Sequence, residues 1–68
     1  MAESVYKVIE IVGTSTESWD KAAAAAVTRA GSSLRDLRIA QVTDMDLQLG
    51  GDKIVYRTKL KVSFKFEE

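Results

Sequence analysis

Residues 53–66 read Lys53-Ile-Val-Tyr-Arg-Thr-Lys-Leu-Lys-Val-Ser-Phe-Lys-Phe66, and apolar and polar side chains alternate along them almost without interruption. The apolar side chains share one face, with Thr58 as the only gap: Ile54, Tyr56, Leu60, Val62, Phe64 and Phe66. The basic side chains share the other face: Lys53, Arg57, Lys59, Lys61 and Lys65. A period of two over this length predicts a half-buried β-strand. At roughly 3.4 Å per residue it would run about 48 Å, which is long for a small protein and already indicates assembly.

Composition limits both the size of the fold and the chemistry. The chain has 68 residues, which predicts one domain over residues 1–68, near the lower limit for folding alone. It contains no cysteine and no histidine, which excludes disulfides, histidine metal sites and histidine-based acid–base catalysis. The serines and threonines therefore have no histidine to activate them, and we expect a protein that is not an enzyme.

Charge and hydropathy indicate where the protein acts. Ten basic and ten acidic residues cancel, and no exposed aromatic residues interleave the basic ones, so we expect no nucleic-acid partner. No apolar run reaches membrane-spanning length, and the N-terminus lacks the pattern of a signal peptide. We therefore expect a soluble, cytoplasmic protein with no membrane partner.

The first half of the chain predicts a strand and then a helix. Residues Ser4 to Val12 are rich in β-branched side chains, which predicts a strand. A helix is predicted from about Thr16 to Leu34, capped either by Thr14 or by Ser15. Its apolar side chains recur at helical spacing and form a narrow stripe: Trp19, Ala23, Ala26, Ala30 and Leu34.

The second half predicts a hairpin. A second strand from Arg38 to about Leu49 is followed by Gly50-Gly51, a typical turn sequence. Its apolar residues are expected on one side, interrupted by Gln41 and Thr43: Ile39, Met45, Leu47 and Leu49.

Two hairpin registers keep the apolar sides of both strands together. A two-residue loop places Asp44 opposite Arg57. A four-residue loop places Asp44 opposite Lys59 and Asp46 opposite Arg57. In both registers an aspartate meets a cation across the polar face.

The order of elements predicts an α+β fold, β-α-β-β, with a three-stranded antiparallel sheet packed on one amphipathic helix. A helix of about 18 residues spans only about 27 Å. It is too short to cover the final strand, so we expect another copy of the chain to cover part of the apolar face.

This pattern resembles the dodecin family over nearly the whole chain. The resemblance rests on the first strand with its Gly-Thr-Ser end, on the Ala-rich helix and on the long final hairpin. Its motifs are Ser4-Val-Tyr-Lys-Val-Ile9, Gly13-Thr-Ser15, Ser18-Trp19, Tyr56-Arg57 and Lys61-Val-Ser-Phe-Lys-Phe66. Within the family, the chain most resembles the calcium-binding mycobacterial members. The resemblance implies a hollow homododecamer that binds or stores a small ligand.

The resemblance also assigns two flavin-binding positions. Most family members bind a flavin, riboflavin or FMN, between tryptophans at a two-fold axis. The family's tryptophan position is Ile39 here, and its flavin-contacting glutamine position is Arg57. Isoleucine has no aromatic face, and a stacked aromatic pair contributes roughly 0.5–1.5 kcal/mol beyond buried area. We therefore expect weak flavin binding at most.

Calcium is the second candidate ligand. Asp44 and Asp46 lie two residues apart on one strand, so their carboxylates point the same way. Calcium takes six to eight oxygen ligands, which neighbouring subunits could complete. Glu10, on the first strand, is a third candidate ligand. The alternative is that the aspartates only form ion pairs with Arg57 and Lys59.

Two further features of the sequence each allow two interpretations. The basic row of the final strand either binds anions such as nucleotide or coenzyme phosphates or forms a solvated face. Trp19 either packs against the core or a subunit, or stacks on a ligand. The leading hypothesis is a non-catalytic storage or binding dodecin with calcium or another cation as ligand. The alternatives are a flavin-sequestering dodecin with a weakened site and a purely structural assembly.

Overall fold

The computed structural model describes residues 3–34 and 37–65. The elements are strand β1 (Tyr6–Ser15), helix α1 (Trp19–Gly31), strand β2 (Leu37–Gln48) and strand β3 (Val55–Lys65). The sheet order is β1-β3-β2, and β3 pairs antiparallel with both neighbours. The predicted β-α-β-β fold with a three-stranded antiparallel sheet on one helix is therefore confirmed.

Strand β3 lies in the centre of the sheet and is covered by the helix on one face only, which accounts for its alternating sequence. Thr58, Leu60 and Val62 are buried beneath α1, whereas the intervening basic residues are exposed. The apparent gap at Thr58 has a physical reason, because its hydroxyl donates a hydrogen bond of 3.0 Å to the backbone carbonyl of Trp19. Phe66, predicted on this apolar face, lies outside the described residues.

Helix α1 lies close to the sheet because both surfaces carry small residues. Gly13 pairs with Thr58 inside β1, so the strand does not end at Val12 as predicted but continues to Ser15. A Cβ at Gly13 would collide with the carbonyl oxygen of Ala22 and lie 2.9 Å from the Cβ of Ala26. Glycine is required here by the close approach of the helix.

The helix is shorter than predicted at both ends. It begins at Trp19 and is capped by Ser18, whose hydroxyl oxygen accepts a hydrogen bond of 3.0 Å from the backbone N–H of Lys21. The prediction of a cap at Thr14 or Ser15 was therefore wrong. Ser15 instead closes a local turn by accepting from the N–H of Glu17. Several serines and threonines compete for the cap in this segment, and composition alone does not choose among them.

The hairpin adopts the register of the four-residue loop near its turn. Asp44 lies opposite Lys59, and Asp46 lies opposite Arg57. The turn glycines Gly50 and Gly51 have φ values of 122° and 81°, a region that favours glycine. Of the two predicted registers, this one is confirmed for the part of β2 next to the turn.

Farther from the turn, β2 shifts register twice. The shifts fall between Val42 and Asp44 and between Leu37 and Ile39, where Thr43 and Arg38 have no partner across the ladder. Each such β-bulge moves the following side chains to the opposite face. Ile39 therefore lies on the face away from the helix, and its predicted grouping with Met45 and Leu47 was wrong.

The helix covers only part of the sheet. Its 13 residues span about 20 Å, whereas the chain extends 53 Å along its longest axis. Three large apolar residues of β2 that point to the helix side remain exposed, and we call them the β2 margin: Val42, Met45 and Leu47. The prediction that one helix cannot cover the apolar face is confirmed.

Candidate functional site

The face of the sheet opposite α1, which we call the open face, holds all the predicted site residues. Cross-strand partners share a face, so the register orders its side chains into rows running β2–β3–β1. The rows are Ile39–Ser63–Val8, Gln41–Lys61–Glu10, Asp44–Lys59–Val12 and Asp46–Arg57–Thr14. Charges occupy the centre of this face, and apolar residues flank Ser63 at one end.

Asp46 and Arg57 form a two-contact ion pair. The Nε of Arg57 donates to Oδ1 of Asp46 at 2.7 Å, and a terminal guanidinium nitrogen donates to Oδ2 at 3.2 Å. The two side chains are 50% and 44% exposed, so water screens the pair. The hydrogen bond from Arg57 is the largest influence and lowers the pKa of Asp46; desolvation opposes it, and the positive charges of Arg57 and Lys59 each lower the pKa by a smaller amount. The predicted cross-strand ion pair is confirmed at this position.

Asp44 stands beside this pair. Its Oδ1 accepts a hydrogen bond of 3.1 Å from the backbone N–H of Met45. Together with its neighbours it lines a small cavity of about 180 Å³ formed by Val12, Asp44, Asp46, Arg57 and Lys59. The cavity walls thus carry two carboxylates and two cationic groups, which balance in charge.

Glu10 does not join the two aspartates within one chain. It lies on β1 opposite Lys61, with β3 between it and β2. Adjacent strands are about 4.8 Å apart, so Glu10 is about 10 Å from β2 across the sheet. Among residues 3–34 and 37–65, no three acidic side chains form a group that could hold a metal ion.

The two family flavin positions are also far apart within one chain. Ile39 lies beside Ser63, whereas Arg57 lies six residues farther along β3, about 20 Å away at 3.3 Å per residue. Ile39 is 67% exposed and offers an apolar surface together with Val8 across Ser63. One flat ring cannot contact both Ile39 and Arg57 of the same chain.

Trp19 is half-buried and packs on the helix side of the hairpin. Its ring meets Tyr56 edge to face at a centroid distance of 5.1 Å. Its indole N–H donates a hydrogen bond of 3.1 Å to the backbone carbonyl of Asp46. The packing interpretation of Trp19 is confirmed.

The link from Trp19 to the aspartate strand was missed by sequence reasoning. Tyr56 and Trp19 lie 37 positions apart, and only the position of the helix over the sheet brings them together. The available signal was that Tyr56 places a large aromatic side chain on the apolar face of β3 near the hairpin turn. An aromatic residue there indicates a partner large enough to need it.

A larger groove lies between α1 and β1. It has a volume of about 610 Å³, and Ile9, Ile11, Ala26 and Arg29 are among its lining residues. None of the predicted site residues lines it. Within the described residues, no helix has the length and apolar character needed to cross a membrane.

Comparison with known proteins agrees with this architecture. The dodecin family model matches residues 5–67. Calcium dodecin of Mycobacterium tuberculosis is 56% identical over 63 residues, which cover 91% of this chain and 89% of the relative. A dodecin of Thermus thermophilus is 38% identical over 65 residues, covering 94% of each chain.

Solved structures give the same result. The crystal structure of the M. tuberculosis calcium dodecin, described as calcium chelating with a novel calcium-binding site, superposes with a TM-score of 0.86. That match is 54% identical and covers 94% of this chain and 93% of the other. Dodecin from Streptomyces coelicolor superposes with a TM-score of 0.91 at 39% identity, covering 100% of this chain and 99% of that one. The sequence motifs, the three-stranded sheet with its single helix and these matches lead to one conclusion: the chain belongs to the dodecin family.

Proposed function

We propose that this chain is a non-catalytic binding or storage dodecin that assembles as a homododecamer and binds calcium or a similar cation at Asp44 and Asp46. The observation that carries the cation proposal is the placement of both carboxylates on the open face beside one cavity. The 56% identity to a protein named calcium dodecin supports the choice of metal.

The chain on its own does not complete a calcium site. Calcium takes six to eight oxygens, whereas the cavity presents two carboxylates, one of them already paired with Arg57. The remaining oxygens come from water and from neighbouring copies. Glu10, which lies across the sheet from Asp44, contributes only if another copy supplies it.

The exposed β2 margin supports assembly. The three exposed apolar side chains of the β2 margin bury favourably against another copy, at roughly 25 cal/mol per Å² of apolar surface. Mass by light scattering should give twelve times the chain mass. Leu47→Lys should lower the measured mass, because a charge in the β2 margin is costly to bury between copies without an opposite charge. A folded monomer in the unaltered protein would remove this part of the proposal.

Calorimetric titration tests the cation proposal. Calcium should release or absorb measurable heat with the unaltered protein, and an Asp44→Asn/Asp46→Asn variant should lose most of that heat. The substitutions keep the size of both side chains, so folding should survive, as circular dichroism would verify. Equal heats in the two proteins would exclude these aspartates as ligands.

Flavin binding is the second candidate. The apolar row of Ile39 and Val8 across Ser63 favours it, because this row gives a ring surface to lie on. Ile39 lacks the stacking face of tryptophan, and Arg57 is about 20 Å away in the same chain, so a complete site needs two copies. Riboflavin fluorescence should be quenched only weakly, and Ile39→Trp should strengthen the quenching. If neither ligand binds, a purely structural assembly remains.

A further inference from the structure

We infer that Arg57 competes with the bound cation for Asp46, so that cation binding requires the guanidinium to leave the carboxylate. This inference deepens the proposed function and rests on it. It concerns which groups set the affinity of the site, and it follows from the contacts of Arg57 within one chain.

The guanidinium occupies both oxygens of Asp46. Its two donors meet Oδ1 at 2.7 Å and Oδ2 at 3.2 Å, the two-pronged arrangement of arginine with a carboxylate. Calcium that binds a carboxylate through both oxygens approaches along the same edge. The Arg57 guanidinium and a calcium ion bound through both oxygens therefore cannot occupy the Asp46 carboxylate at the same time.

Charge adds to this competition. The cavity beside Asp46 is lined by two aspartates and by Arg57 and Lys59, so its walls carry no excess negative charge. A divalent ion about 5 Å from the guanidinium is repelled even in water-like surroundings, enough to lower its affinity by on the order of tenfold. The site as it stands fits a divalent cation poorly until Arg57 moves.

Arg57 can move because little else holds it. Its neighbour in the row on β1 is Thr14, which has no charge, and its own side chain is 44% exposed. Exposed ion pairs contribute little to stability, so a cation can displace the guanidinium without unfolding the strand. Arg57 thus raises the calcium concentration at which the site fills, and it does not block the site.

The decisive comparison uses two variants with the same change of charge. Arg57→Gln removes the competitor, whereas Lys65→Gln removes a positive charge from the same strand and face, eight residues away and opposite Tyr6. That distance is about 26 Å, beyond the screening length of physiological salt. Calcium titrations of the assembled proteins at fixed ionic strength should show binding about tenfold tighter for Arg57→Gln. Lys65→Gln should tighten binding by less than about twofold.

Each outcome has a distinct meaning. An unchanged affinity in Arg57→Gln, or an equal gain in both variants, would overturn the competition. The absence of calcium binding in all three proteins would instead remove the proposed cation function, and this inference with it. Binding that is lost in Asp44→Asn/Asp46→Asn but equal in the other proteins would retain the function and reject the competition.

A measurement on the unaltered protein makes the test independent of variant folding. The Nε–H of Arg57 donates to Asp46 and has its own nitrogen–proton NMR signal. Saturating calcium should shift this signal toward that of a free guanidinium. Sodium chloride at the same ionic strength, added in place of calcium, should not shift it. Calcium binding that leaves the Arg57 signal unmoved would contradict the inference.

Discussion

The two faces of the same sheet are held by different forces. On the helix face, Leu60 and Val62 are 2% and 0% exposed and pack with Ala26 of the helix. On the open face, the neighbouring residues of the same strand are exposed lysines and an arginine whose partner is half in water. Stability therefore depends mainly on the helix face, whereas the proposed cation site lies on the open face. Each face can be altered with the other nearly unaffected.

The largest effect should come from the core. Leu60→Ala removes a side chain buried between sheet and helix and should lower the free energy of unfolding by about 2–5 kcal/mol. Its neighbour Lys61 points to the open face, and Lys61→Ala should change stability by less than about 0.5 kcal/mol. Urea denaturation at one protein concentration measures both. Similar losses would mean that the two faces do not differ in their contribution to stability.

A smaller effect should come from the point where the helix touches the sheet. Gly13→Ala places a methyl group against the backbone of Ala22 and should cost about 1–3 kcal/mol, because the helix must shift. Gly31→Ala is the matched control, since its nearest neighbour would be Cδ1 of Leu37 at an ordinary 3.6 Å. Thermal unfolding of both variants tests this prediction. A stable Gly13→Ala protein would show that the close contact is not needed.

The smallest effect concerns the pKa of Asp46 on the open face. The hydrogen bond from Arg57 lowers this pKa, so the folded state releases the proton more readily than the unfolded state. The stabilisation is present above the unfolded value of about 3.9 and is lost as the pH falls through the folded pKa. Carbon NMR of the Asp46 carboxyl should give a midpoint below the ordinary value. Arg57→Gln should move that midpoint upward, and an unchanged midpoint would contradict the assigned cause.

Most of the fold could be predicted from the sequence because its main strand is central and covered on one face. In such a strand burial alone sets a period of two, which β3 keeps from Arg57 to Val62. The cap and the bulges could not be predicted with the same ease. Gln41 and Thr43, which interrupted the apolar pattern of β2, were the available sign that its register shifts.

The site was predictable only where local geometry limits the choices. Gly50-Gly51 left two registers, and both placed an aspartate opposite a cation, so the pairing of Asp46 with Arg57 was within reach. The position of Glu10 depends on whether β1 lies beside β2 or beside β3. No local pattern decides that order, because it is set by how the helix crosses the sheet.

The bulges at Arg38 and Thr43 each reverse which face of the sheet the following side chains of β2 point to. Counted from the turn, the bulge at Thr43 reverses the alternation of faces. The bulge at Arg38 restores it at Leu37, which faces the helix side opposite Phe64. The four residues between the bulges therefore alternate in the opposite sense, and Ile39 and Gln41 point to the open face. Deleting both bulge residues would leave every side chain between them on its present face. The two bulges therefore decide which residues of this strand lie on the open face, where the proposed ligands would bind.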